Sequence, residues 1–216
     1  MKLKVLFFFM ITLSCFAQQD TLSTQKFDDF VSVKMQGEIT KTDSILGMYD
    51  MKSRTALFEG SYYVFQKLII LNSEEEGIMP GDEESLYKYY GYMSKGFINT
   101  LEANSGYKLI DTTRVDIQGY KALKIRAGFK KKKAVEAIFL VLGTANYIIS
   151  YTNQDEFNEK EKEIFFKSIS ISENNPGQFT GVSSAYRLGE MLGELSAVLV
   201  IIIIVVVLVI RSKKKK

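Results

Sequence analysis

The chain has 216 residues, of which 28 are basic and 25 are acidic, and it contains no histidine and a single cysteine. These counts exclude histidine-based catalytic triads and ordinary zinc sites, and Cys15 alone cannot form a disulfide within the chain. The stretch from about Phe27 to Ser172, about 145 residues, suits a domain with one hydrophobic core.

A short apolar segment begins the chain. Two lysines precede about a dozen apolar residues, and the small residues Cys15 and Ala17 are typical of a signal peptidase site. We therefore predict a signal peptide over residues 1–17, cleaved between Ala17 and Gln18, and a short lead over residues 18–29. Two alternatives remain open, an uncleaved membrane anchor and a lipoprotein signal in which Cys15 carries the lipid.

The first strands follow this lead. Val31, Val33 and Met35 alternate with polar residues, which is the period of a half-buried strand. Further strands are predicted over residues 55–59 and 62–71.

An acidic loop and a long helix come next. The carboxylates around the loop offer oxygen ligands to calcium, but their spacing is not that of an EF-hand, and a solvated acidic loop is the other interpretation. They are Glu74, Glu75, Glu76, Asp82, Glu83 and Glu84. Apolar residues three or four apart then predict a helix with one buried face. They are Leu86, Tyr90, Met93, Phe97 and Leu101.

The second half of the chain is rich in predicted strands. Four are expected, over residues 107–119, 120–129, 134–143 and 146–152, with the first two separated near Gly119, and the last two are continuous apolar runs typical of central strands covered on both faces. The basic turn over residues 130–133 suits either a solubilising hairpin tip or contact with anionic lipid.

A second helix closes the domain. Asn153 and Glu156 have the spacing of a capping box, and Phe157, Ile164 and Phe165 are expected on the buried face. The element order predicts an α+β domain over residues 30–172, in which helices cover an antiparallel sheet.

A polar linker over residues 173–191 leads to a second apolar segment, whose unbroken run begins near Leu195 and ends at Ile210. Together with the three preceding residues it predicts a C-terminal single transmembrane helix over residues 192–210. The basic residues behind it predict, by the positive-inside rule, a cytoplasmic tail over residues 211–216. They are Arg211, Lys213, Lys214, Lys215 and Lys216.

These two ends predict a location. We expect a single-pass protein of the bacterial inner membrane, held in the lipid bilayer by the C-terminal helix, with the domain exported to the periplasm. Without the two lysines of the signal and the five basic residues of the tail, the exported part has 21 basic and 25 acidic residues. This mildly acidic balance argues against a nucleic-acid partner.

Two stretches of the second half share the pattern of a known family. "RVDIQGYKALKIRAGF" is followed by a strand pair and by "YIISYTNQDEFNEKEKEIFFKSISI". The matching positions are Gly119, Tyr147, Tyr151, Phe157 and Phe165. Over about residues 30–172 the chain thus resembles the PsbP-like family, named for an extrinsic photosystem subunit. The resemblance implies an antiparallel sheet between helices and a non-catalytic assembly or binding module. The ion-binding histidines of photosynthetic members have no counterpart here.

One motif suggests catalysis. Ser85 and Lys88 have the S-x-x-K spacing of a serine nucleophile with a lysine base, but the same spacing occurs three more times and no K-T-G accompanies it. We interpret Ser85 as an exposed serine at the start of a helix. No enzyme, metal site or cofactor is predicted.

The predicted function is binding. We expect a membrane-tethered domain that binds or helps assemble a partner protein at the cell envelope. Tyr89, Tyr90 and Tyr92 are the candidate partner surface, with burial under the acidic loop as the other interpretation. The alternative function is binding of a small apolar ligand in a cavity between sheet and helix. Its lining residues would include Phe97, Phe139 and Tyr147.

Overall fold

The structure is a computed structural model that describes residues 22–46, 49–70, 79–129 and 133–181. The predicted signal peptide with its cleavage site, the basic residues 130–132, the predicted transmembrane segment and the tail lie outside these ranges. In the described ranges the chain forms ten strands and two helices.

The strands are β1 (Ser23–Lys26), β2 (Val31–Met35), β3 (Glu38–Leu46), β4 (Tyr49–Phe58), β5 (Ser61–Ile70), β6 (Lys108–Ile117), β7 (Tyr120–Phe129), β8 (Lys133–Leu142), β9 (Ala145–Asn153) and β10 (Ser170–Ile171). The helices are α1 (Glu83–Ser105) and α2 (Glu159–Lys167).

Seven strands form the central sheet. Their order is β3-β4-β5-β9-β8-β7-β6, and every neighbouring pair is antiparallel. Two tight hairpin turns have both central residues at positive φ, with values of 46° and 84° at Glu59 and Gly60 and of 55° and 88° at Gln118 and Gly119. Such turns match the right-handed twist of their strands. The predicted break between strands near Gly119 is therefore confirmed.

Different elements cover the two faces of this sheet. On one face, Phe139 and Val141 of β8 pack in a core with α1. On the other face, Ile138 and Leu140 pack with the small sheet β1-β2-β10 and with Phe165 of α2. Alternate residues of β8 thus enter two cores, which confirms that this strand is covered on both sides.

The predicted fold class is wrong. The described chain is mainly β, with two sheets, and helices cover only part of the central sheet, because the small sheet occupies much of one face. The described residues also hold no helix long and apolar enough to cross a membrane. The longest, α1, carries charged residues such as Glu84, Lys88 and Lys95. The C-terminal transmembrane helix of that fold class, residues 192–210, lies outside the described residues, so nothing described supports it.

The two helices differ in how well the sequence predicted them. All five residues predicted for the buried face of α1 are buried. The predicted start of the second helix is wrong, because Asn158 caps α2 and accepts from the backbone N–H of Glu161 at 3.2 Å. Asn153 instead forms a turn before the helix, accepting from the backbone N–H of Asp155 at 2.9 Å. Ile164, expected to be buried, is exposed.

Four charged side chains fix α2 to the sheet. Arg126 of β7 donates to Glu136 of β8 at 3.0 Å and pairs with Glu159 at 2.7 Å. Lys162 lies 2.6 Å from Glu159 and 3.4 Å from Glu136. The Arg126 guanidinium also lies over the ring of Phe157, 4.8 Å from its centroid. Because each carboxylate contacts both cations, the group keeps its charges balanced although Glu136 is almost fully buried.

A buried ion pair fixes the small sheet in the same way. Asp28, in the turn between β1 and β2, pairs with the Lys67 ammonium of β5 and accepts from the Tyr147 hydroxyl of β9 at 2.6 Å. Its second oxygen accepts from the backbone N–H groups of Phe30 and Val31 at 2.8 and 3.2 Å. This carboxylate thus joins the turn to two central strands.

These contacts set the protonation of Asp28. Burial raises the pKa of its carboxyl, but hydrogen bonds from Lys67 and Tyr147 and the charge of Lys67 lower it more, so the pKa lies below its ordinary value. A depressed folded-state pKa stabilises the fold above the unfolded-state pKa, and this stabilisation is lost as the pH falls through the folded value.

We predict that Asp28→Asn lowers the free energy of unfolding by about 3 kcal/mol at pH 7, because Lys67 is left charged and unpaired in a buried place. Urea denaturation measures the change. The difference from the wild-type chain should begin to shrink below about pH 4, the ordinary pKa of an aspartate in the unfolded chain, and continue to shrink until the folded carboxylate is protonated at a lower pH.

The matched control is Asp29→Asn, whose carboxylate is 91% exposed and pairs with an exposed lysine. It should change the stability by less than about 1 kcal/mol. Equal effects of the two substitutions would contradict the role assigned to Asp28.

Candidate protein-binding edge

Two of the three tyrosines of the predicted partner surface are buried. Tyr89 is 1% exposed and donates to Asn146 Oδ1 at 2.5 Å. Tyr90 is 0% exposed and donates to the Lys121 carbonyl at 2.9 Å. The assignment of both to a surface is wrong, because α1 turns them toward the sheet. Tyr92 is partly buried against the α1-side core, so a partner role for it stays a prediction.

The ligand cavity predicted between sheet and helix is not formed by its three named residues. Phe97 and Phe139 meet edge to face with ring centroids 5.7 Å apart in the α1-side core. Tyr147 lies in the core on the opposite face. The register explains the separation, because Leu140, not Phe139, pairs with Tyr147, and neighbouring residues of a strand point to opposite faces.

Carboxylates near the start of α1 form no metal site in the described chain. No group of three ligand-type residues among the described positions is arranged to hold a metal ion. Glu74, Glu75 and Glu76 lie outside those positions.

Ser85 belongs to a helix cap. Its backbone N–H donates to the Asp82 carboxylate at 2.7 Å, and its hydroxyl accepts from the Asp82 backbone N–H at 3.1 Å. Lys88, the other member of the S-x-x-K motif, pairs with Glu84 at 2.9 Å. Ser85 is buried rather than exposed, and its contacts are those that start a helix.

We predict that Ser85→Ala lowers the free energy of unfolding by about 1 kcal/mol, because the reciprocal cap loses one of its two hydrogen-bonding side chains. Thermal denaturation measures the loss. The control is Ser94→Ala, since Ser94 lies inside α1 and bonds only to a carbonyl of its own helix. A larger loss in the control would exclude the capping role.

One edge of the central sheet is formed by the exposed strand β6. β6 pairs with β7 on one side, and no described element pairs with its other side. Eight of its ten residues are exposed. Two of them are large and apolar: Leu109 is 50% exposed and Ile110 is 63% exposed. Free backbone groups beside exposed apolar side chains make β6 a surface for another strand.

A bulge places these two residues. The register with β7 shifts between Leu109 and Asp111, which leaves Ile110 without a partner across the strand pair. The sequence indicates this bulge, because side chains alternate between the two faces of a regular strand and two adjacent large apolar residues break that alternation. Sequence reasoning assigned the strand but missed the exposed pair.

The α1 side of this edge also carries an aromatic and cationic contact. The Arg114 guanidinium lies over the Tyr87 ring, 4.1 Å from its centroid. Both line a surface depression together with Glu83, Glu84 and Lys88. Lys88 pairs with Glu84, whereas Arg114 forms no salt bridge with any described residue. Arg114 is thus an oriented cation that can bind a carboxylate.

The opposite edge differs. β3 is also an edge strand, and among its described side chains Ile45 is the large apolar one that is exposed, at 73%. Its Asp43 is already bound by Arg54 at 2.8 Å. α1 packs against β6, β7 and β8, so the helix flanks the β6 edge and not this one. We define the β6 edge as Leu109, Ile110, Thr112, Arg114 and Tyr87.

Comparison with known proteins adds a similarity of fold. No family model matches the chain, and no curated protein matches it. A solution structure of cyanobacterial PsbP (CyanoP) from Synechocystis sp. PCC 6803 is similar over 73% of this chain and 96% of that chain, with 10% identity and a TM-score of 0.48. The predicted fold-level resemblance to PsbP is confirmed. This similarity assigns neither a function nor a residue role to the present chain.

A second solved structure is more distant. It is a crystal structure from Bacteroides thetaiotaomicron VPI-5482 with 7% identity and a TM-score of 0.30, covering 71% of this chain. The match spans 50% of the length of that chain.

Proposed function

We propose that this chain is an exported, non-catalytic binding domain that holds an extended segment of a partner protein along the β6 edge. The observation that carries the proposal is the exposed strand itself, with its free backbone groups and the apolar pair Leu109 and Ile110. The signal pattern before Gln18 supports export. The lack of histidine and the capping role of Ser85 support a role without catalysis.

The binding mode is addition of a strand to the sheet. An added strand pairs its N–H and C=O groups with those of β6, which supplies affinity without regard to sequence. Side chains on one face then supply specificity. Leu109, Thr112 and Arg114 pair with Ala127, Ile125 and Leu123, all of which lie in the α1-side core. Residues paired across strands share a face, so these three β6 side chains point toward the α1 side.

The partner segment has a defined chemistry. It places an apolar side chain beside Leu109 and a carboxylate beside Arg114, whose guanidinium forms no salt bridge with a described residue although Glu83 and Glu84 line the same depression. The bulge at Ile110 reduces the spacing of the two contacts to that of their β7 partners, Ala127 and Leu123, which is four residues or roughly 13 Å along a regular strand. The partner is therefore an extended segment with an acidic residue and an apolar residue at that separation.

A photo-cross-linking amino acid at Thr113, on β6, tests this function in cells. We expect cross-links to a protein segment of the chemistry described, because an added strand lies about 5 Å from β6. The double substitution Leu109→Ser and Ile110→Ser should lower the cross-link yield about tenfold or more, since partner contacts with two apolar side chains are lost.

Two matched controls accompany this experiment. The cross-linker at Thr42, on the β3 edge, should capture no such segment, and Ile45→Ser should leave the yield from Thr113 unchanged. Equal capture from both edges, or unchanged capture in the double variant, would reject the β6 edge as the binding site.

A further inference from the structure

The segment after β10 folds back over one end of the central sheet. We name residues 172–181 the strap. Its backbone is fixed at three points: Ser172 donates to the Phe30 carbonyl at 2.8 Å, Gly143 donates to the Gly177 carbonyl at 2.7 Å, and Gly181 donates to Pro80 at 3.2 Å. The strap thus crosses the sheet end where β7 begins and β8 ends.

β7 and β8 separate at that end. Their pairing stops at Leu123 and Phe139, although β7 begins at Tyr120 and β8 continues to Leu142. The backbone groups of Lys121 and Val141 therefore lie beyond the last pair. Such buried groups are costly when they have no partner.

The side chain of Gln178 fills this gap. It is 6% exposed, and its Oε1 accepts from the Lys121 N–H at 2.7 Å. Its Nε2 donates to the carbonyls of Lys121 at 2.7 Å and of Val141 at 3.3 Å. One side-chain amide thereby replaces the missing ladder contacts between two strands.

Tyr90 closes the gap from the α1 side. Its hydroxyl donates to the Lys121 carbonyl at 2.9 Å, accepts from the Val141 N–H at 3.0 Å and lies 3.4 Å from Gln178 Nε2. Burial raises the pKa of Tyr90, so the hydroxyl stays protonated and available as a donor. We name the space bounded by Lys121, Val141 and Tyr90 the amide slot.

The polar groups of the amide slot distinguish between ligands. The Lys121 N–H needs an acceptor, and the carbonyls of Lys121 and Val141 need a donor. The ligand group that satisfies all three has a carbonyl oxygen and an NH₂ in one plane. A carboxylate would place a negative oxygen against two carbonyl oxygens, and an alkyl group would remove the hydrogen bonds that Gln178 gives to the Lys121 N–H and the Val141 carbonyl. The complementary chemistry is a primary carboxamide.

We propose that the amide slot is a binding site for a primary carboxamide. Gln178 occupies this site within the chain, and a glutamine side chain of another polypeptide occupies it when Gln178 is absent. This inference does not rest on the β6 edge. Its support is the set of contacts at Lys121 and Val141, which involve the end of the ligand side chain and not its backbone.

The experiment uses the full chain with Gln178→Ala, which leaves a gap of the size and chemistry of acetamide. We expect 0.5 M acetamide to raise the Tm of this variant by about 2–4 °C relative to its effect on the wild-type chain, since a ligand that binds only the folded state stabilises it. Sodium acetate at the same concentration should give no such rise. If Gln178→Ala does not fold alone, the folded yield on refolding with and without acetamide replaces the Tm.

Two further arms decide the outcome. Thr180→Ala, a strap variant that keeps the carboxamide, should show no rescue by acetamide. A peptide with the sequence of residues 174–180 should shift the NMR signals of the Lys121 and Val141 amides in Gln178→Ala, whereas the same peptide with glutamate for glutamine should bind at least tenfold more weakly. Equal responses to acetamide and acetate, or equal binding of the two peptides, would overturn the proposal.

Discussion

The two-sided burial of β8 is the constraint on which the rest of the structure depends. Its alternate residues enter two separate cores, so a single helix layer cannot satisfy the strand. α1 covers one face as a long amphipathic element. The other face is closed by two small units, the three-stranded sheet and α2, neither of which is large enough to fold alone.

Charge contacts locate those small units. Asp28 joins the first turn to β5 and β9, and Glu136 joins α2 to β7 and β8 through Arg126 and Lys162. Burial of apolar side chains stabilises the fold but is not directional, whereas a buried ion pair is stable only when its two charged groups meet in a defined geometry. Apolar residues thus stabilise the central sheet, whereas a few ionic groups fix the positions of the small sheet and α2.

Sequence reasoning reached α1 and most central strands because their periodicity is strong, as the buried face from Leu86 to Leu101 shows. It missed β1, whose residues Ser23–Lys26 are polar and gain a strand conformation only by pairing with β2. It also placed Tyr147 beside Phe139, because which face a residue points to depends on register between strands distant in sequence. The exposed pair on β6 could have been predicted, because Leu109 and Ile110 break the alternation of polar and apolar residues. The amide slot could not have been predicted, because a single glutamine in a polar stretch forms no periodic pattern.

The close approach at Gly181 has a consequence for how the polypeptide leaves the domain. A Cβ at this position would lie 1.7 Å from the Met79 carbonyl oxygen, a distance at which atoms overlap. The chain therefore passes the start of α1 through an opening wide enough for bare backbone only. Any side chain at residue 181 would push apart two segments that are about 100 residues distant along the chain. This position would therefore tolerate substitution as poorly as a position in the core does.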